Sequence, residues 1–314
     1  MSFSSQVKEE LEKHLSPGRH CQIAEMAAIL HFSGQLARGE KGQLQLQILT
    51  ENVAVARKCF TILNKTFNIE TSAQEYRCFG EQKKSGYTIV LEKEEDITVL
   101  FQAIKLIDSK GVLHELKDRA NPLILKQNCC QRAFIRGAFL TIGSMSDPSK
   151  SYHLELVCTN IYQARQLQEL LQGFDLDAKI VQRKKYFVVY LKEGSNIVDF
   201  LNICEAHVAL MNLENLRILK EVRNSINRRV NCETANIAKT VNAAARQLED
   251  IRFLQEVTGF CELPPALRQM AEVRLEYPEA TLKELGQYLD PPVGKSGVNH
   301  RLRKLSEIAD FHRG

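Results

Sequence analysis

Between residues 20 and 206 the chain writes the same series of elements twice, and this duplication limits its fold more than any other feature. Cys21–Ser33 (CQIAEMAAILHFS) is a largely apolar helix closed by Gly34, and Arg132–Ile142 (RAFIRGAFLTI) is another closed by Gly143. After the first, Gln35–Arg38 and Leu44–Leu49 form a hairpin around Gly39–Gly42. There Leu44, Leu46 and Ile48 alternate with Gln43, Gln45 and Gln47, the period of a half-buried strand. A helix follows from Asn52, then strands near Ile69–Cys78 and Tyr87–Leu91, then a helix over Glu95–Ile107. In the second half Tyr152–Cys158 is a strand, and Asn160-Ile161 with Ala164-Arg165 repeats Asn52-Val53 with Ala56-Arg57. Phe174-Asp175-Leu176-Asp177 repeats Phe67-Asn68-Ile69-Glu70, Tyr186–Leu191 repeats Gly86–Leu91, and Asn196-Ile197 echoes Asp96-Ile97. The spacing between the halves shortens along the repeat, as insertions and deletions in surface loops produce. The order predicts a duplicated αββαββα unit.

Each half thus has one apolar helix that needs burial on a broad side. Ala24, Ala27 and Ala28 are small enough to let the second such helix approach closely, which would bury both and leave two antiparallel sheets joined as one saddle. A short amphipathic helix over 5–15, ended by Ser16-Pro17-Gly18, precedes this unit.

The C-terminal stretch is of another kind. Ala206–Asn231 is helical, with a mostly apolar stripe of Leu210, Leu213, Leu216, Leu219, Val222 and Ile226, and it ends in Arg228-Arg229; Thr234–Val257 is a second helix. Asn236, Lys239, Asn242 and Arg246 share one side of the latter, as either a solvated face or a phosphate-tracking one. Leu263-Pro264-Pro265 opens a helix over 266–276, with Leu267, Met270, Ala271 and Leu275 inward, and Tyr277-Pro278 ends it. Thr281 and Glu284 have capping-box spacing, and Leu282, Leu285 and Leu289 form an apolar stripe stopped by Asp290-Pro291-Pro292. A last helix over 296–309 takes Ser296 as N-cap and turns Val298, Leu302 and Leu305 inward. Its other side carries Ser296, His300, Arg303 and Lys304, flanked by Asn299 and Arg301. From Lys295 to Lys304 there are four cations and no anion. Such a face either stays solvated or enters a DNA major groove, where Arg forks onto guanine, Asn onto adenine and Lys meets phosphate. Gly294-Lys295-Ser296 resembles the end of a phosphate-binding loop, but Leu289 stands where that loop needs its first glycine.

Composition narrows the remaining classes. Hydrophobic residues at 44% and charged ones at 25% fit an ordinary globular chain, and a net charge of +4 is too slight to identify a polyanion partner without the local clustering. No apolar run reaches membrane-span length and the start lacks a signal-peptide core, so a cytoplasmic location is expected. The nine cysteines show no CxxC pair; buried reduced thiols are expected, and the adjacent Cys129 and Cys130 suit no ordinary bridge. His20 beside Cys21 is the nearest approach to a metal cluster and has no partners in sequence, so no metal and no cofactor are expected.

Met26–Gly34 (MAAILHFSG) and Ile135–Gly143 (IRGAFLTIG) resemble the paired signature helices of LAGLIDADG homing endonucleases. In those enzymes the acid just before each terminal glycine holds a divalent metal that activates water for phosphodiester cleavage. The matching positions here are Ser33 and Ile142, neither an anion, and Asp147 lies past the glycine on another element. The resemblance therefore implies a retained fold and a lost nuclease. Over its length the chain is similar to the WhiA family of bacterial sporulation and cell-division regulators, which joins a degenerate homing-endonuclease domain to a C-terminal helix-turn-helix domain. Met1–Leu11, Arg136–Leu140, Asn231–Ile251, Leu263–Leu289 and Asp290–Leu305 carry that similarity, the last most specifically.

The fold expected is α+β, a duplicated αββαββα LAGLIDADG-type saddle followed by an all-α helix-turn-helix domain. Its divisions are an N-terminal helix (1–19), the saddle (20–206, halves about 20–110 and 129–206), a helical connector (207–257) and the DNA-binding domain (258–314). The function implied is sequence-specific transcriptional control in cell division, chromosome segregation or sporulation, by a nucleoid-associated cytoplasmic protein. Candidate DNA contacts are Thr281, Lys295, Ser296, Asn299, His300, Arg301, Arg303 and Lys304, with Arg228, Arg229, Lys239 and Arg246 secondary. The partner is double-stranded promoter DNA, with another transcription regulator or RNA polymerase as a further candidate. Two rivals remain at this stage: a nuclease whose acids have migrated, and an interaction scaffold whose saddle binds a partner regulator.

Overall fold

A computed structural model describes residues 2–39, 42–71, 73–77, 85–107, 116 and 119–314. They form two compact units, 1–220 and 221–314. The first opens with helix α1 (Phe3–Lys13) and then contains the duplication. Its first half is α2 (Arg19–Ser33), β1 (Gly34–Arg38), β2 (Leu44–Thr50), α3 (Val53–Phe67), β3 (Ala73–Arg77), β4 (Ser85–Leu91) and α4 (Glu94–Ala103). Its second half is α5 (Asn128–Ile142), β5 (Gly143–Met145), β6 (Leu154–Cys158), α6 (Ile161–Gln172), β7 (Lys179–Arg183), β8 (Tyr186–Leu191) and α7 (Gly194–Ile203).

The repeat holds down to strand register. Both sheets are four-stranded and antiparallel, ordered β1-β2-β4-β3 and β5-β6-β8-β7. Gly34 pairs with Ile48 as Gly143 pairs with Leu156, and Leu46 pairs with Leu91 as Leu154 does with Leu191. In each half the glycine that ends the apolar helix is also the first residue of the edge strand. Among the described residues no strand of one sheet pairs with a strand of the other; the halves join through α2 and α5.

That join depends on small residues. Ala24, Ala27 and Ala28 of α2 and Ala133 and Ala138 of α5 are all buried. A Cβ on Gly137 would stand 2.6 Å from the Glu25 carbonyl oxygen and 2.9 Å from the Ala28 Cβ, so only glycine permits this approach. The crossing also encloses charge that periodicity does not announce. Glu25, Lys58 and Arg136 are buried, with Lys58 Nζ and Arg136 Nε each 3.2 Å from a Glu25 oxygen. Arg136 further donates to Glu205 at 2.6 Å and to the Ser16 hydroxyl at 2.5 Å, and Lys58 donates to the carbonyls of Leu11 and His14. Burial pulls the Lys58 ammonium below its ordinary pKa, against the pull of Glu25. The cluster thereby ties the end of α1 and the turn after α7 to the central pair.

Several local expectations need correction. The helix expected over Glu95–Ile107 ends at Ala103, because Lys105 turns left-handed (φ 59°) and the Leu106 N–H returns to the Phe101 carbonyl. The strand expected from Ile69 starts at Ala73: Asn68 is left-handed (φ 56°), and Ile69 donates to the Leu63 carbonyl as part of the α3 cap. Cys78 lies outside the described residues. Leu44 is exposed, so β2 buries only Leu46, Ile48 and Thr50. Nor does His20–Cys21 lack partners, since the pairing of α2 with α5 brings Cys129 and Cys130 to it.

The two helices expected over 206–231 and 234–257 are one, α8 (His207–Val257), which contains neither glycine nor proline to break it. Of the apolar stripe expected there, Leu213 is buried while Leu219, Val222 and Ile226 are exposed. In the second unit α9 (Pro265–Glu276), α10 (Leu282–Gln287) and α11 (Lys295–Arg313) share a core with Ile251 and Leu254 of α8. Met270, Ala271, Leu285, Leu289, Val298, Leu302 and Leu305 fill it. Buried Asp250 accepts from Arg313 at 2.7 Å, which pins the end of α11 to α8.

Two substitutions test this packing. Arg136→Ala would strip Glu25 of one of its two buried cations and Ser16 and Glu205 of their shared donor, and should cost about 3–5 kcal/mol; an unchanged urea midpoint would show that the guanidinium carries no such burden. In the second unit, a Cβ on Gly286 would lie 2.1 Å from the Val293 carbonyl oxygen, whereas one on exposed Gln287 already faces solvent. Gly286→Ala should therefore destabilise by about 1–3 kcal/mol and Gln287→Ala by much less; equal melting temperatures would refute the close approach.

Candidate nucleic-acid interface

The C-terminal surface is built outward from a capped short helix. Thr281 caps α10: its N–H donates to the Glu284 carboxylate at 2.8 Å and its hydroxyl accepts from the Glu284 N–H at 3.4 Å. Hydrogen bonding of the carboxylate to the Thr281 N–H, and to the Thr281 side chain, holds the Glu284 carboxyl below its ordinary pKa. After α10 the chain folds back, and the Val293 N–H donates to the Gly286 carbonyl at 2.9 Å. Tyr277, read from the sequence only as a helix ending, and Tyr288, unremarked there, stack with centroids 4.4 Å apart and brace the two loops flanking α10. Both tyrosines lie beside a helix end, which is the only signal the sequence offers for them.

Helix α11 starts one residue before the expected cap. Gly294, not Ser296, occupies the N-cap, with its carbonyl accepting from Val298 at 3.1 Å, and Ser296 sits in the first turn. No side chain caps the first-turn N–H groups, so the positive end of the helix dipole adds to the charge of Lys295. Val298, Leu302 and Leu305 are buried, as their spacing predicts. Lys295, Ser296, Asn299, His300, Arg303 and Lys304 are exposed, and Arg301 is half-buried. One turn beyond the cationic run, Glu307 sits 3.1 Å from Arg303 and 3.5 Å from Lys304. Such exposed pairs are worth little in stability but set where the side chains point.

The secondary candidates separate. Lys239, Thr281 and Asn299 meet along a groove of about 730 Å³ between α8 and the loop before α10. Arg246 is drawn away toward α11, 3.3 Å from Asp310 and 3.9 Å from Asp250. Arg228 and Arg229 are exposed on an earlier part of α8, where Arg229 pairs with Glu233 at 3.1 Å.

The positions corresponding to the homing-endonuclease acids lie in the first unit. The Ser33 hydroxyl donates to its own helix, to the Ile29 carbonyl at 2.6 Å, and Ile142 packs against the core. Ser33 and Thr141 line one cleft with Lys8, whose ammonium burial pulls down to about 8, and with a single carboxylate, Glu51. Asp147 accepts from the Ser149 N–H at 2.9 Å in the loop after β5, away from that cleft's lining.

Comparison with known proteins accounts for nearly the whole chain. Residues 19–107 match the WhiA N-terminal LAGLIDADG-like domain, 131–223 the WhiA LAGLIDADG-like domain and 226–309 the WhiA C-terminal HTH domain. The chain is 51% identical over 313 residues to the "Probable cell division protein WhiA" of Lachnoclostridium phytofermentans, covering 99% of each. It is 46% identical to the protein of the same name from Clostridium botulinum strain Hall, over 99% of this chain and 98% of that one. The crystal structure of full-length DUF199/WhiA from Thermatoga maritima superposes with a TM-score of 0.61 at 26% identity, covering 99% of both chains. A duplicated LAGLIDADG-like unit followed by a helix-turn-helix module, matched in sequence from one end to the other, places this chain in the WhiA family.

Proposed function

We propose that this protein is a sequence-specific DNA-binding transcriptional regulator acting in bacterial cell division, chromosome segregation or sporulation. The observation that carries the reading is the division of α11 into a buried apolar side and an exposed basic one. Val298, Leu302 and Leu305 hold it on the helix-turn-helix core, and Lys295, Asn299, His300, Arg303 and Lys304 are left facing solvent. In the major groove Arg303 or Arg301 reads guanine, Asn299 reads adenine, and the lysines hold phosphate. Thr281 joins these contacts from beside Asn299 in the groove, where Lys239 supplies a secondary one, and Arg228 and Arg229 track the backbone farther along α8. Arg246, paired with Asp310, serves the fold more than the nucleic acid. The divisions of this reading are an N-terminal helix over 1–19, a saddle over 20–206, a connector over 207–257 and a DNA-reading module over 258–314, with the end of the connector helix packed into the module's core through Ile251 and Leu254. Such a regulator works on the nucleoid in the cytoplasm and meets other regulators or RNA polymerase at promoters; among the described residues, no helix is long and apolar enough to cross a membrane.

The saddle, in this reading, has given up strand cleavage. Two-site metal-dependent hydrolysis needs carboxylates at the ends of the paired helices. Ser33 is committed to its own helix, Ile142 offers no ligand, and a lysine ammonium occupies the cleft's lining. Prolonged incubation of the full chain with its bound DNA and Mg²⁺ should leave the strands intact; nicking that disappears in Glu51→Gln would instead reveal a relocated active acid.

Base reading is tested on the same full chain. Arg303→Ala should weaken binding to the selected site by about 1–3 kcal/mol and flatten preference at one base pair. Lys304→Ala should weaken binding to every sequence and lower the salt slope by about one. Equal losses on selected and random DNA for Arg303→Ala would remove it from the reading set.

A further inference from the structure

The N-terminal ends of the two central helices bring together a set of side chains that DNA binding does not use. His20 and Cys21 lie in the first turn of α2, and Cys129 and Cys130 in the first turn of α5. They occupy equivalent places in the two halves, at equal distances in sequence before Gly34 and Gly143. The His20 Nδ1 atom is 3.2 Å from Cys130 Sγ, 3.3 Å from Cys21 Sγ and 4.0 Å from Cys129 Sγ, and all four donor atoms lie within 4.8 Å of one another. Cys21 and Cys130 are buried and form a floor, while His20 and Cys129 are exposed and leave a way in.

We propose that these four residues form a tetrahedral Cys3His site for one zinc-class divalent cation, which fastens the two halves of the saddle at the end opposite the degenerate cleft. The donor chemistry selects the metal class. Three thiolates and an imidazole are soft to borderline ligands, the set of a closed structural zinc site, and unsuited to Mg²⁺ or Ca²⁺. The dimensions agree: bonds of about 2.3 Å to sulfur and about 2.0 Å to nitrogen put tetrahedral donors about 3.5–3.8 Å apart, inside the spread of separations found here. Binding displaces three thiol protons to solvent and leaves the centre with one net negative charge. Burial holds the Cys21 and Cys130 thiols above their ordinary pKa in the unloaded protein; the cation's own charge and the positive dipole ends of α2 and α5 oppose that penalty once the site is filled. A bridge between Cys129 and Cys130 is disfavoured by their adjacency, so a metal uses both where a disulfide uses neither well.

The test takes the full-length chain, reduced and stripped of metal, and titrates it with Co²⁺ and then Zn²⁺. The expected result is a thiolate-to-cobalt absorption that saturates at about one equivalent per chain and is bleached by Zn²⁺, with a higher melting temperature for the loaded protein. Cys129→Ser, at an exposed position that folding does not depend on, should weaken zinc binding on the order of tenfold or more and shift the cobalt spectrum; Cys261→Ser, exposed and outside the cluster, should change neither. No thiolate–cobalt band in the reduced parent chain would overturn the site, as would parent-like affinity and spectrum in Cys129→Ser. So would a Cys21–Cys130 disulfide or an iron–sulfur chromophore as the stable state of the freshly isolated protein.

Discussion

The contact between α2 and α5 is the constraint on which the first unit depends. Each helix is apolar around most of its circumference, so neither is stable in water, and burying both needs backbones close enough for a glycine at Gly137. Everything else in that unit is arranged about the pair: each sheet starts at the glycine where its helix stops, and α1, α3 and α7 close over the sides. The charge enclosed at the crossing gives the contact one registration. A slip by a turn would separate Arg136 from Glu25 and take a buried partner from each, a far worse outcome than a slip between purely apolar faces.

The second unit solves a smaller problem with different means. Its helix α10 has only six residues, too few to be stable by itself. The capping box at Thr281, the return of the Val293 N–H to Gly286 and the Tyr277–Tyr288 stack supply locally what length does not. At the far end of α11, Arg313 reaches back to buried Asp250. The exposed basic side of that helix is thus carried on a base held at both ends. On the proposed reading this matters, because base recognition requires donors to be placed before the nucleic acid arrives.

Much of this was legible in the sequence, and what was not has a common cause. The duplication could be followed residue by residue because period and punctuation are local properties, and the inward Val298, Leu302 and Leu305 of α11 follow from spacing alone. The capping box was equally readable, being a contact between residues three apart. The single helix α8 was missed by reading Arg228 to Asn231 as an ending, although nothing there interrupts helical geometry. The buried Glu25–Arg136–Lys58 cluster and the meeting of His20–Cys21 with Cys129–Cys130 were invisible for another reason: their members lie far apart in sequence and become neighbours only once the two apolar helices are paired. The repeat held a clue to the second group, since its two dipeptides occupy matching places, but only a fold that sets those places side by side turns coincidence into proximity.

Glu307 gives the basic helix a property that a count of its cations would miss. With Arg303 and Lys304 both leaning on one carboxylate, the bare surface is less attractive to polyanions at large than its formal charge implies. Any phosphate that claims these side chains must displace an internal anion and then tolerate it nearby. On the proposed reading, an ordered set of base hydrogen bonds compensates for that exchange better than loose electrostatic adhesion does, so the carboxylate biases the helix against indiscriminate capture.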